Sequence, residues 1–253
     1  MQTLIPNMAG DLTQDPAALA QVLALLSQPD GVKNGEALLK PFLKQTGCIP
    51  SLIHQLKSNP NEECRHHAAL LLKKRANPLL KNFTPPQVQE LKAQFLQLMT
   101  AEPSKTIAVA LAGVVASVSK AILTKEGNWP ELFALLMQLA QDPTEARRML
   151  NFSLLEQLAE NVATHLKPHT PTLAQMFVHG CQDASTLVSA AAMAATGTYI
   201  KAISDEAEVM QLQCVILPML QVRVPCAIGR ARRVARHFMT HSRLAPVLLS
   251  FCR

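Results

Sequence analysis

His237 and His241 stand four residues apart with Cys226 nearby, the arrangement in this chain that comes nearest to a metal-ligand set. On a helix that spacing puts both imidazoles on one face, but a closed zinc site takes four protein ligands and no fourth accompanies them. They are read as solvent-exposed histidines. His66 and His67 are adjacent and diverge on a helix, while His165 and His169 straddle Pro168. Six cysteines (Cys48, Cys64, Cys181, Cys214, Cys226 and Cys252) are scattered without a Cys-x-x-Cys pair. They read as reduced thiols, mostly in the core. Phosphate loops, dinucleotide glycines, His-Glu-x-x-His helices and Gly-x-Ser-x-Gly elbows are missing from the sequence. No catalytic residue, cofactor or metal is assigned, and the chain is expected not to be an enzyme.

Two basic clusters remain. Gly229 to Arg236 carries four arginines, and clustered guanidinium groups attract phosphates and acidic grooves. With no aromatic among them there is no platform for stacking bases. The formal charge of +6 is concentrated in this region: Val222 to Arg253 holds seven arginines and no Lys, Asp or Glu. Taking those seven from the 24 basic residues leaves 17 against 18 acidic ones, so Met1 to Gln221 is nearly neutral. A nucleic-acid partner is therefore not expected. Because the vocabulary changes so abruptly, residues 222–253 are read as an Arg-rich tail from an alternative exon, a retained intron or a shifted frame. The second cluster, Lys73-Lys74-Arg75, ends a helical run, where cations also complement the helix dipole.

The elements that must position these residues follow from composition and period. The chain has 49% apolar residues and only nine glycines, and Ala, Leu, Gln, Lys and Met dominate. Those are helix formers, so the expected class is all-α. Short turns recur at Gln28-Pro29-Asp30, Asn59-Pro60-Asn61, Glu102-Pro103-Ser104 and Asp142-Pro143-Thr144, then at Asp183-Ala184-Ser185 without the proline. Proline cannot continue the preceding helix, and the polar residue after it can accept the orphan N–H groups of the next. Each turn is thus expected to join two antiparallel helices. The flanking apolar residues keep helical spacing, as in Val88, Leu91, Phe95 and Leu98.

Five helix pairs are predicted, over about 16–46, 48–77, 85–123, 129–165 and 168–203, followed by a helix at 205–220. A period near 40 with two helices per repeat fits a HEAT-type α-solenoid better than ankyrin or tetratricopeptide repeats. The expected organisation is an extension at 1–15, a repeat region at 16–221 and the tail at 222–253. The longest uncharged apolar stretch, Ile107 to Val118, is too short to span a bilayer and reads as a core helix. Neither a secretory signal nor a transit peptide is evident, which predicts a cytosolic or nucleocytoplasmic protein without membrane insertion.

The order of these elements resembles the N-terminal part of the importin-β superfamily of transport receptors, the karyopherins. Cys64-Arg-His-His-Ala-Ala-Leu-Leu-Leu-Lys-Lys-Arg75 is similar to the family's second B helix, and Trp129-Pro130-Glu131-Leu132 to the start that recurs on its A helices. Leu23 to Leu26 with Pro29-Asp30 sits where the family places its first repeat. The resemblance covers about residues 16–220 and lies nearest to the importins that carry ribosomal proteins and histones. It implies binding of the GTP form of the small GTPase Ran by B helices, with Arg65, Lys73, Lys74 and Arg75 as candidate contacts. It also implies nucleoporin phenylalanine-glycine repeats as partners, protein cargo for a full-length receptor, and residence in cytoplasm, nucleus and nuclear pore. The other reading of the same repeats is a HEAT scaffold or adaptor without Ran dependence.

Overall fold

The computed structural model describes residues 12–203, together with Leu212 and Val215. The helix expected at 205–220 and the tail lie outside the described residues, apart from those two positions. Among the described residues there are ten α-helices, one short 3-10 turn and no strand. They are α1 (Pro16–Leu25), α2 (Val32–Phe42), α3 (Cys48–Ser58), α4 (Glu62–Leu80), α5 (Pro85–Ala101), α6 (Lys105–Glu126), α7 (Pro130–Ala140), α8 (Glu145–Leu166), α9 (Thr170–Cys181) and α10 (Thr186–Ala202). The five predicted pairs are α1/α2, α3/α4, α5/α6, α7/α8 and α9/α10. Contacts divide the chain into two compact units, Met1–Ala121 and Ile122–Arg253, with the boundary inside α6.

In the first unit the chain is ordered before α1. Asp15 caps that helix, accepting from the N–H groups of Ala17 and Ala18 at 3.0 and 2.9 Å, and Pro16 occupies the first helical position. Ser51 donates to the Thr13 carbonyl at 3.2 Å and buried Gln55 to that of Pro16 at 2.7 Å, so residues 13–16 are tied to α3. The turn at 28–31 departs from the expected capping, because the residue that caps α2 is Gly31, with no side-chain cap, and Asp30 is exposed. The Gly31 N–H closes the turn on the Gln28 carbonyl at 2.8 Å. A Cβ at Gly31 would lie 2.7 Å from the Leu25 carbonyl oxygen, which is why glycine stands there. The α1 helix packs on α2, α3 and α4, and α3 on α4, around Leu19, Leu23, Leu52 and Leu72, all inaccessible to solvent.

In the second unit α8 packs against α7 and, most extensively, α10, while α9 rests on α10. Trp129, Phe152, Phe177 and Tyr199 are fully buried, and the Tyr199 hydroxyl shares a 2.7 Å hydrogen bond with Thr170. Gly180 of α9 is a point of contact, since a Cβ there would sit 2.1 Å from Phe152 Cζ and 2.7 Å from Ala192 Cβ. The last turn of α8 is broken at Val162, whose φ of −140° and ψ of 29° leave the helical region.

The apolar stretch at 107–118 belongs to α6, a helix of 22 residues that is long and apolar enough to cross a membrane by length and composition. Within the protein, 67% of its most apolar window is buried, which is the behaviour of a core helix.

Candidate binding surfaces

The candidate contacts all lie on α4. Asn61 opens this helix by accepting from the N–H groups of Glu63 and Cys64 at 2.8 and 3.3 Å. Glu62 and Glu63 then place carboxylates at the positive end of the helix dipole. Ala68, Ala69, Leu72 and Ala76 form the buried face.

The structure separates the four candidates into two pairs. Arg65 is consumed by the scaffold: its guanidinium donates to Glu102 at 3.1 and 3.3 Å and to the carbonyls of Asn59 and Pro60 at 3.1 and 3.3 Å. Only 15% of the Arg65 side chain and 5% of the Glu102 side chain are exposed. Arg75 is half-buried, and its Nε donates to the Leu43 carbonyl at 2.8 Å, tying α4 to the end of α2. Lys73 and Lys74 are exposed on the helix surface, one turn beyond Leu70, which is itself 44% exposed. Of the four candidates, Lys73 and Lys74 are thus the two exposed residues.

What Arg65 does is repeated in the second unit. Arg148 donates to Asp183 at 2.7 and 3.1 Å and to the carbonyls of Asp142 and Pro143, each at 3.0 Å. Both arginines stand four residues after the polar residue that opens their helix, Asn61 or Thr144, and both reach the acidic residue at the next B-helix turn. That acidic residue also holds its own turn. Asn59, Glu102, Asp142 and Asp183 each accept the N–H of the residue two positions on, at 2.9, 3.2, 2.8 and 2.8 Å. The electrostatics follow from these bonds: Arg148 above all, helped by the Ser185 N–H, holds the Asp183 carboxyl below its ordinary range against the effect of burial. For Asp142 the Thr144 N–H is the main cause of a shift in the same direction.

Glu102 and Asp183 are read from the sequence only as turn residues and Arg148 not at all, although an arginine stands four residues after the residue that opens the helix, once in each unit. The capping expectation is corrected at one further turn, where Thr144 makes no side-chain cap bond. At the α6 turn the Ser104 hydroxyl donates to Glu62 of α4. Ser185 does cap α10, accepting from Val188 at 3.4 Å.

Two of the described histidines make contacts between elements. His169 stacks on Phe133 with ring centroids 3.9 Å apart, and His67 shares a 3.2 Å hydrogen bond with Ser27. Burial, and then the neighbouring His66, push the His67 pKa down. Cys48, Cys64 and Cys181 are buried and free, as read from the sequence. Cys214, Cys226, Cys252, His237, His241 and the arginine cluster lie outside the described residues.

Comparison with known proteins places this architecture. A family model described as "IPO5-like, TPR repeats" matches residues 104–230, just over half of the chain. The probable importin-5 homolog of Dictyostelium discoideum is 26% identical over 170 residues, covering 64% of this chain and 16% of that protein. Mouse importin-4 is 25% identical over 175 residues, covering 68% and 16%. Among solved structures, importin beta superposes with a TM-score of 0.69 at 19% identity, over 88% of this chain and 29% of that one. Kap121p bound to Nup53p gives 0.68 at 18% identity, over 94% and 23%. At those identities the likeness shows the fold, an α-solenoid class of HEAT-type helix pairs. The chain spans about a sixth of the length of the curated relatives. On the match over half its length, the chain belongs to the importin-5-like family within the importin-β superfamily.

Proposed function

We propose that this chain acts in nucleocytoplasmic transport as part of an importin, and that α4 is a contact for the GTP form of Ran. The observation that carries the reading is the exposed pair Lys73 and Lys74 on the helix that resembles the family's second B helix. The nearly neutral body up to Gln221 makes these ammonium groups a local feature, suited to an acidic protein surface and not to a nucleic-acid backbone. Arg65 and Arg75 enter the same reading as supports that fix α4, through Glu102 and the Leu43 carbonyl.

The solved complexes of Kap121p with Nup53p, Ste12p and Pho4p support nucleoporin and protein partners for the longer relatives. In this chain such partners would use surfaces other than α4. Residence in cytoplasm, nucleus and nuclear pore follows from the same role, which is that of a receptor and not of an enzyme.

A pull-down of the whole chain on immobilised Ran tests the proposal. Retention on GTP-loaded Ran with none on the GDP-loaded form is expected. Equal binding to both forms favours a nucleotide-indifferent HEAT scaffold, and no binding to either rejects the Ran contact.

A further inference from the structure

The turn between α4 and α5 carries a feature that transport does not absorb. The chain contains two threonines followed by proline, Thr84-Pro85 and Thr170-Pro171, and no serine followed by proline. This dipeptide is the minimum that proline-directed protein kinases read, and the fold treats its two copies oppositely. Thr170 is 1% exposed, and its hydroxyl is bonded to Tyr199 at 2.7 Å inside the second unit. Thr84 is exposed, as are Lys81, Asn82, Pro85, Pro86 and Gln87 around it.

Its backbone is also in the required form. The following proline excludes the helical region for Thr84, which takes φ −71° and ψ 156°. Thr84 is thus an acceptor residue in extended conformation, with a trans proline next, at the exposed start of α5. The hydroxyl donates at 3.0 Å to the side chain of Gln87, which is also exposed and can turn away, and in the capping box it accepts from the Gln87 backbone N–H.

We infer that Thr84 is a phosphorylation site for a proline-directed kinase and that Thr170 is not. In the reaction the Thr84 oxygen attacks the γ-phosphorus of a nucleoside triphosphate. The bond from that phosphorus to the β-phosphate oxygen breaks, the diphosphate leaves, and the hydroxyl proton passes to the kinase's base. The product keeps the capping position at the start of α5 and adds a dianion there, a charge that the helix dipole favours.

The test is incubation of the folded whole chain with an active kinase of the mitogen-activated class and magnesium ATP, followed by site-resolved mass spectrometry. A synthetic peptide of residues 78–90 is treated in parallel. Phosphate at Thr84 at least about tenfold above that at Thr170 is expected, with none left on that turn in Thr84→Ala. An unmodified Thr84 overturns the inference whether or not the peptide is modified. So does comparable phosphate on Thr170 in protein shown by circular dichroism to be folded.

Discussion

Arg148 Nε lies 2.7 Å from Asp183 Oδ2, so the head of α8 is bonded directly to the turn that opens α10. This bond is the main reason that the Asp183 carboxyl sits below its ordinary value of 3.8. A carboxyl with a lowered folded pKa binds fewer protons folded than unfolded. Its contribution to stability is therefore present above about pH 3.8 and is lost as pH falls through the folded value. Arg148→Met is expected to lower Tm at pH 7, with the gap to the parent narrowing below about pH 4. Thermal melts from pH 7 to pH 2 check this, and a gap independent of pH contradicts it.

The counterpart in the first unit is Arg65. Removing its guanidinium leaves Glu102, 5% exposed, as a buried carboxylate without its cation. Arg65→Ala is expected to cost about 1–3 kcal/mol in urea unfolding, and Arg65→Ala with Glu102→Gln less than the sum of the two single changes. Additive costs would show that the pair is not coupled.

Gly180→Ala tests the packing of the second unit. The added methyl would overlap the Phe152 ring and crowd the Ala192 Cβ, in a site where little can give way. A loss of about 1–3 kcal/mol is expected from overpacking. A urea midpoint equal to the parent's would mean that Phe152 moves freely.

Asn151 is the converse case. It is inaccessible on α8, and neither its Oδ1 nor its Nδ2 finds a hydrogen-bond partner among the described residues. Replacing an unpaired buried amide by an apolar side chain of similar size removes a desolvation penalty. Asn151→Leu is expected to stabilise the chain by about 1 kcal/mol, read as a rise in Tm; a fall would assign the amide a structural role.

The buried thiols should be inert. Burial pushes Cys48 up to about 11 against the pull of Arg75, and Cys181 up to about 12 against its bond to Thr196. In native protein at pH 8 their alkylation by iodoacetamide is expected to be slower than that of an ordinary thiol with a pKa near 8.5 by at least about 100-fold, and Cys181 the slower of the two. Fast labelling of either without denaturant would contradict the burial.

Much of this fold was legible because its signals are local. Proline and a polar residue between apolar runs of helical period mark a pair junction without reference to the rest of the chain, and α3 to α10 follow from that. Gly31 was harder: its need comes from the Leu25 carbonyl oxygen, a contact that exists only after α1 and α2 fold back on each other. Asp183 and Arg148 were missed for a related reason. Each has an ordinary local explanation, as a turn former and a solvated cation, and the bond between them joins residues 35 apart. The basic cluster on α4 looked like one site in sequence. Arg75 bonds the Leu43 carbonyl and is half-buried while Lys73 and Lys74 are exposed, because successive residues on a helix diverge by about 100°.

The central claim rests on those two lysines, and the most direct measurement is the affinity of the whole chain for GTP-loaded Ran, with and without Lys73→Glu and Lys74→Glu together. Charge reversal on an exposed face should leave the helical circular dichroism of the chain in place and weaken binding by about tenfold or more, while Leu70→Ala and the parent still discriminate GTP-loaded from GDP-loaded Ran. Undiminished affinity in the double variant, or a parent chain that binds neither form, would contradict it.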